Sequence, residues 1–143
     1  FRRVLFRSSD DTRFLFNGQE VGEIAVDSAI AGAFGVPVAL VSGDDKTAQE
    51  AIGLLKTLES VVVKQAVTRE GAICLPQAEV LAMAEASAQR AVERALHNEF
   101  TPYKPPVPLC FEKRSQGPFK IPISKKAEGN EVRALFQAVL GQG

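Results

Sequence analysis

Glu23 and Asp27 stand four residues apart, and Asp44 and Asp45 stand side by side after an apolar run; these are the carboxylates whose spacing could hold a cation. On a helix, positions i and i+4 share a side, where like charges repel by about 0.2 to 0.5 kcal/mol unless a cation lies near. Without one, Glu23 complements the positive end of a helix dipole and Asp27 is solvated, and spacing alone favours that plainer reading. Asp44 and Asp45 follow an apolar strand at its carboxyl end, the edge where open α/β sheets place ligands. Asp44 is equally suited to cap the following helix, and capping alone explains the pair.

The remaining reactive side chains say less. His97, the only histidine, falls in the last turn of a long helix, where the dipole favours a partly positive imidazole. Lys64 and Arg69 flank a strand and could meet an anionic group, with solvation as the alternative. Ser8, Ser9 and Ser28 lack the Gly-x-Ser-x-Gly setting of an exposed nucleophile. Cys74 and Cys110 lie far apart in apolar runs, which reads as two buried thiols and not as a disulfide framework or metal knuckle. Pro102-x-x-Pro105 could dock a module that reads polyproline helices, but a loop entering a strand explains it as well.

The elements that must position these groups alternate in type. Residues 12–16 enter a tight turn at Asn17-Gly18, a pair that supplies the two positive-φ positions of a type I′ hairpin ending near Val21. Over residues 22–34 the apolar side chains Val26, Ile30, Ala33 and Phe34 mark one face of a helix. Gly35 closes that helix as its C′ residue. Gly32, inside it, costs about 1 kcal/mol relative to Ala and points to close packing against another backbone. The uniformly apolar residues 36–41 predict a strand covered on both faces.

Further on, a helix over 45–58, strands over 60–67 and 72–75, and a long Ala-rich helix from Pro76 to about Asn98 follow. Residues 101–108 run extended into a strand over 109–113, and a final amphipathic helix over 131–140 carries Val132, Leu135, Phe136 and Val139 on one face. This order predicts an α/β fold, a layered sheet with helices on both faces.

Composition narrows the class. The 143 residues suit one domain, with 17 Lys plus Arg against 17 Asp plus Glu and no basic stripe, so nucleic acid is not an expected partner. No apolar run is long enough for a bilayer, and no signal core is visible; a soluble, cytoplasmic protein is expected. The opening FRRVLFRSSDD lacks an initiator Met and fits neither periodicity, so residues 1–11 read as a non-native, adaptor-derived leader and residues 12–143 as the native stretch. Setting aside Arg2, Arg3 and Arg7 leaves that stretch mildly acidic.

NGQEVGEIAVDSAIAGAFGVPVALVSGDDKTAQEA, continued by VVVKQAVTREGAICLPQAEV, resembles the DppA-type D-aminopeptidase family. The shared order is a short hairpin, a Gly-Glu helix start, an Ala-Gly, a Val-Pro-Val strand, Gly-Asp-Asp, Val-Lys-Gln, Thr-Arg and Cys-Leu-Pro, covering about Phe16 to Val92. The resemblance implies a zinc peptidase with two metal ions, acting on short peptides that begin with a D-amino acid and assembling as a homo-oligomer. It implies that Glu23 is one metal ligand and overturns the solvated reading of that residue. The family's other ligands precede the hairpin. Residues 12–143 would then be the C-terminal part of the domain, inactive alone. The alternatives are a non-catalytic α/β assembly or interaction domain, and a small-ligand domain using the Ser-Gly-Asp-Asp edge.

Overall fold

The computed structural model describes residues 12–68, 71–116 and 121–141. Its strands divide between two sheets, and the mixed α/β character expected from the sequence is present.

The first sheet grows from the hairpin. β1 (Arg13–Phe16) and β2 (Gln19–Val21) pair antiparallel with Phe16 opposite Gln19, and Asn17 and Gly18 have φ of 50° and 81°, the two-residue turn read from the sequence. Asn17 is also tied to the strand that follows the Pro-rich segment. Its backbone N–H donates to the Cys110 carbonyl at 2.8 Å, and its Oδ1 accepts from the Cys110 N–H at 2.7 Å.

α1 (Glu23–Ala33) leaves this hairpin and ends in a Schellman motif. Val36 N–H donates to the Ala31 carbonyl, Gly35 N–H donates to the Gly32 carbonyl, and Gly35 has φ of 75°, which a residue without Cβ adopts freely.

β3 (Leu40–Asp44), α2 (Asp45–Leu55) and β4 (Glu59–Ala66) form a parallel β-α-β unit, and β5 (Ala72–Cys74) pairs antiparallel with β4, giving a second sheet in the order β3-β4-β5. Here the structure corrects the sequence reading: the strand occupies 40–44, not 36–41. It lies at a sheet edge with half-buried side chains, and Val36 is 54% exposed. The apolar Val-Pro-Val run instead leads from the α1 cap to the strand. α2 also stops earlier than expected, at Leu55, because Lys56 takes φ of 62°.

α3 (Gln77–Leu96) begins one residue after Pro76 and packs on β4, where the Glu59 carboxylate receives Arg90 and Arg94. Arg94 also donates to Glu99 at 2.8 Å and lies over the Phe100 ring, so one guanidinium fixes the helix end to strand and loop.

β6 (Leu109–Gln116) and β7 (Pro122–Gly129) complete the first sheet in the order β2-β1-β6-β7, and α4 (Val132–Leu140) folds back onto it. β7 was not anticipated; its residues are mostly exposed, so no apolar alternation marks it. The core lies between this sheet and α1 and α4. Phe111 is fully buried, its ring 4.4 Å from Phe136 and 5.5 Å from Phe16, with Val26, Ala29, Leu109 and Val139 around them. The face read for the last helix is the face that is buried, through Leu135, Phe136 and Val139.

Candidate functional site

The hairpin delivers the chain to Gly22, whose extended backbone (φ −83°, ψ 171°) makes it the N-cap of α1, and Glu23 is the first helical residue. The Gly22 carbonyl accepts the first helical hydrogen bond, from Val26 N–H at 3.2 Å. Glu23 is half-buried, and among the described residues its carboxylate makes no hydrogen bond or ion pair. A carboxylate at this end is favoured by the helix dipole. Asp27 follows one turn later on the same helix; it is largely exposed, yet partial desolvation raises its pKa above the ordinary value.

One neighbour was not legible in the sequence. Glu50, from α2, brings its carboxylate against Gly22: a Cβ at residue 22 would lie 1.8 Å from Oε1 and 2.5 Å from Cδ of Glu50. The only sequence hint is a glycine where a capping Ser, Thr or Asp would be preferred.

The far end of α1 is held by a second close approach. A Cβ at Gly32 would lie 1.8 Å from the backbone oxygen of Tyr103, so the Pro-rich segment runs directly over this glycine, as its place in the helix suggested. Burial raises the Tyr103 pKa. Pro105 is itself buried, which favours the loop-into-strand reading of Pro102-x-x-Pro105 over an open docking motif.

Asp44 and Asp45 are committed elsewhere. Asp44 is buried and its Oδ1 accepts from Thr47 N–H at 2.7 Å, the N-cap of α2. Asp45 Oδ1 accepts from Ala66 N–H at 2.8 Å, which ties the start of α2 to the end of β4. That backbone hydrogen bond, aided by Lys46, lowers the Asp45 pKa. Capping and latching account for both side chains.

Among the described residues, no three His, Cys, Asp or Glu side chains gather into a group able to hold a metal ion. His97 is the exposed C-cap residue of α3, Lys64 stands opposite Asp44 in the β3–β4 register, and Ser28 is buried within α1. Arg69, Ser8, Ser9 and the stretch 1–11 lie outside the described residues. Cys74 is exposed on β5 and Cys110 half-buried, which corrects the expectation of two buried thiols: β5 is a short edge strand without a covering layer among the described residues. No described helix is long and apolar enough to cross a membrane.

A family profile described as D-aminopeptidase matches residues 6–131, a span that includes part of the opening stretch read as a leader. Over 65 residues the chain is 38% identical to the D-aminopeptidase of Bacillus subtilis (strain 168); that segment is 46% of this chain and 24% of the relative. A solved structure, described as the Zn-dependent D-aminopeptidase DppA from Bacillus subtilis, a self-compartmentalizing protease, superposes with a TM-score of 0.73 at 24% identity. It covers 90% of this chain and 51% of that one, so the chain spans about half the length of its solved relative. At this identity the superposition speaks for the fold.

Proposed function

Because the chain belongs to the D-aminopeptidase family, we propose that it is the C-terminal part of a cytoplasmic, zinc-dependent D-aminopeptidase that removes the N-terminal D-residue from short peptides and works as a homo-oligomer. The observation that carries the reading to a residue is Glu23, a half-buried carboxylate at the first position of α1 with no partner among the described residues. A carboxylate so placed is available to a cation, whereas Asp44 and Asp45 each have one oxygen engaged by a backbone amide, and the other oxygen of Asp45 lies 3.4 Å from the Lys46 ammonium.

A zinc ion needs three or four protein ligands in fixed geometry. The described residues do not by themselves make such a site, and Glu23 would contribute one carboxylate to it. Two zinc ions in the complete site would supply an activated water and polarise the peptide carbonyl. This chain's part is to hold Glu23 on a helix start braced at both glycines, and alone it is inactive. Support for a larger unit comes from apolar side chains left open: Leu81, Val92 and Leu96 on α3 are 60%, 60% and 77% exposed, and Ile73 on β5 is 62% exposed. Surfaces of this kind mark contacts with further protein.

The test is to read the source DNA upstream of Thr12 back to its start codon. An Asp-x-Glu and well-placed histidines in that frame are the expected result. Their absence would overturn the peptidase reading in favour of a non-catalytic assembly domain.

A further inference from the structure

Gly22 cannot cap α1 with a side chain, and the space such a side chain would occupy is filled from another helix. The ideal Cβ position of Gly22 lies 1.8 Å from Oε1 and 2.6 Å from Oε2 of Glu50, so the Glu50 carboxylate sits where a capping group would begin. Gly22 is buried and Glu50 half-buried, and α1 and α2 pack together here. Glu50, like Glu23, makes no hydrogen bond or ion pair among the described residues. Its seat is therefore held by shape and by attraction to the positive end of α1.

Two carboxylates near one helix start do not act alike. An anionic side chain on the first helical residue is drawn toward its own free amides. With a second negative charge already in the cap place, that pull on Glu23 is opposed by like-charge repulsion.

We propose that Glu50 is a positioning residue for Glu23: seated over Gly22, it locks the first turn of α1 to α2 and keeps the Glu23 carboxylate from folding back onto its own helix end. The part concerning ligand geometry rests on the reading of Glu23 as a metal ligand.

Two measurements test it. In the 143-residue chain, amide exchange at Ile24, Ala25 and Val26 is followed in Gly22→Ala, Glu50→Ala and the double variant. Each single change is expected to speed exchange about tenfold, with the double variant no faster than Glu50→Ala alone, because contacting residues couple. Additive effects would overturn the lock.

In the protein encoded by the complete frame, zinc affinity is measured by chelator competition. Glu50→Ala, and Glu50→Gln which keeps the bulk over Gly22, are expected to weaken zinc about tenfold, as supporting residues of metal ligands do. Unchanged affinity in both, with Glu23→Gln weakened, overturns the proposal alone. Unchanged affinity in Glu23→Gln overturns the ligand reading beneath it, and the proposal with it.

Discussion

Replacing Gly32 by Ala tests how α1 is held, because it sets a local gain against a tertiary loss. The new Cβ would lie 1.8 Å from the Tyr103 oxygen and 2.8 Å from its carbonyl carbon, where real Cβ contacts stay above 3.0 Å. Helix or strap must therefore move by more than an ångström. Intrinsic propensity favours Ala by about 1 kcal/mol inside a helix. Overpacking costs about 1 to 3 kcal/mol. Here the obstacle is main chain on a segment restrained by Pro102, Pro105 and Pro106, so the cost belongs at or above the upper end, leaving a net loss of about 2 kcal/mol. An unfolding entropy of about 2.1 cal/mol/K per residue turns this into a fall in Tm of roughly 7 °C. Gly53→Ala is the matched control: also helical, with nothing within 4 Å of its would-be Cβ, it should raise Tm by about 2 to 3 °C. Thermal melts of the three proteins decide it. Gly32→Ala melting at or above the parent would refute the backbone contact.

Four further outcomes follow from the same structure. Asp44→Ala should lower stability by about 1 kcal/mol while Asp44→Asn stays near the parent, since Asn also accepts from the Thr47 amide; equal losses in a denaturant titration would argue against capping. The Arg114 guanidinium, with the Ser124 hydroxyl, holds the Glu112 carboxyl down at about 2, against an ordinary 4.5. A depressed carboxylate stabilises above its unfolded pKa and loses that contribution as pH falls toward its folded one, so Tm should drop between about pH 4.5 and 2, and Arg114→Gln should flatten that part of the profile. Asp27 has the opposite sign: its raised pKa means the charged form is disfavoured in the fold, so Asp27→Asn should raise Tm at pH 7 and leave it unchanged well below 3.8. Cys74 should react with a thiol reagent in the folded protein much faster than Cys110; similar rates would contradict their different exposure.

Much of the frame could be read from residue order, and the reasons are local. Asn17-Gly18 demands positive φ, Gly35 ends a periodic helix, and Asp44 precedes a helix start, so hairpin, cap and N-cap follow from chemistry confined to a few residues. Gly32 was legible as a close approach but its partner, Tyr103, was not, because that contact joins segments 71 residues apart. The strand misplaced onto 36–41 shows the same limit: an apolar run gives burial but not pairing, and the pairing with β4 selects Leu40–Asp44. β7 is placed by its backbone pairing with β6 and by the Ser124–Glu112 hydrogen bond, and its polar sequence carries no apolar alternation to mark it. At the site, Glu23 emerged from family resemblance and not from spacing. Glu50 emerged from neither, since only the packing of α2 on α1 places it over Gly22.

The central claim is that Glu23 serves a zinc D-aminopeptidase, and the most direct measurement is hydrolysis of D-alanyl-D-alanine by the protein encoded by the complete frame. It would be run with zinc, after chelation, and with Glu23→Gln, beside L-alanyl-L-alanine. Zinc-dependent cleavage of the D-dipeptide only is the expected result, sharply reduced in Glu23→Gln because a site short of one carboxylate ligand no longer fixes zinc in the geometry it needs. Cleavage undiminished in Glu23→Gln, or no cleavage by the zinc-loaded parent, would contradict it.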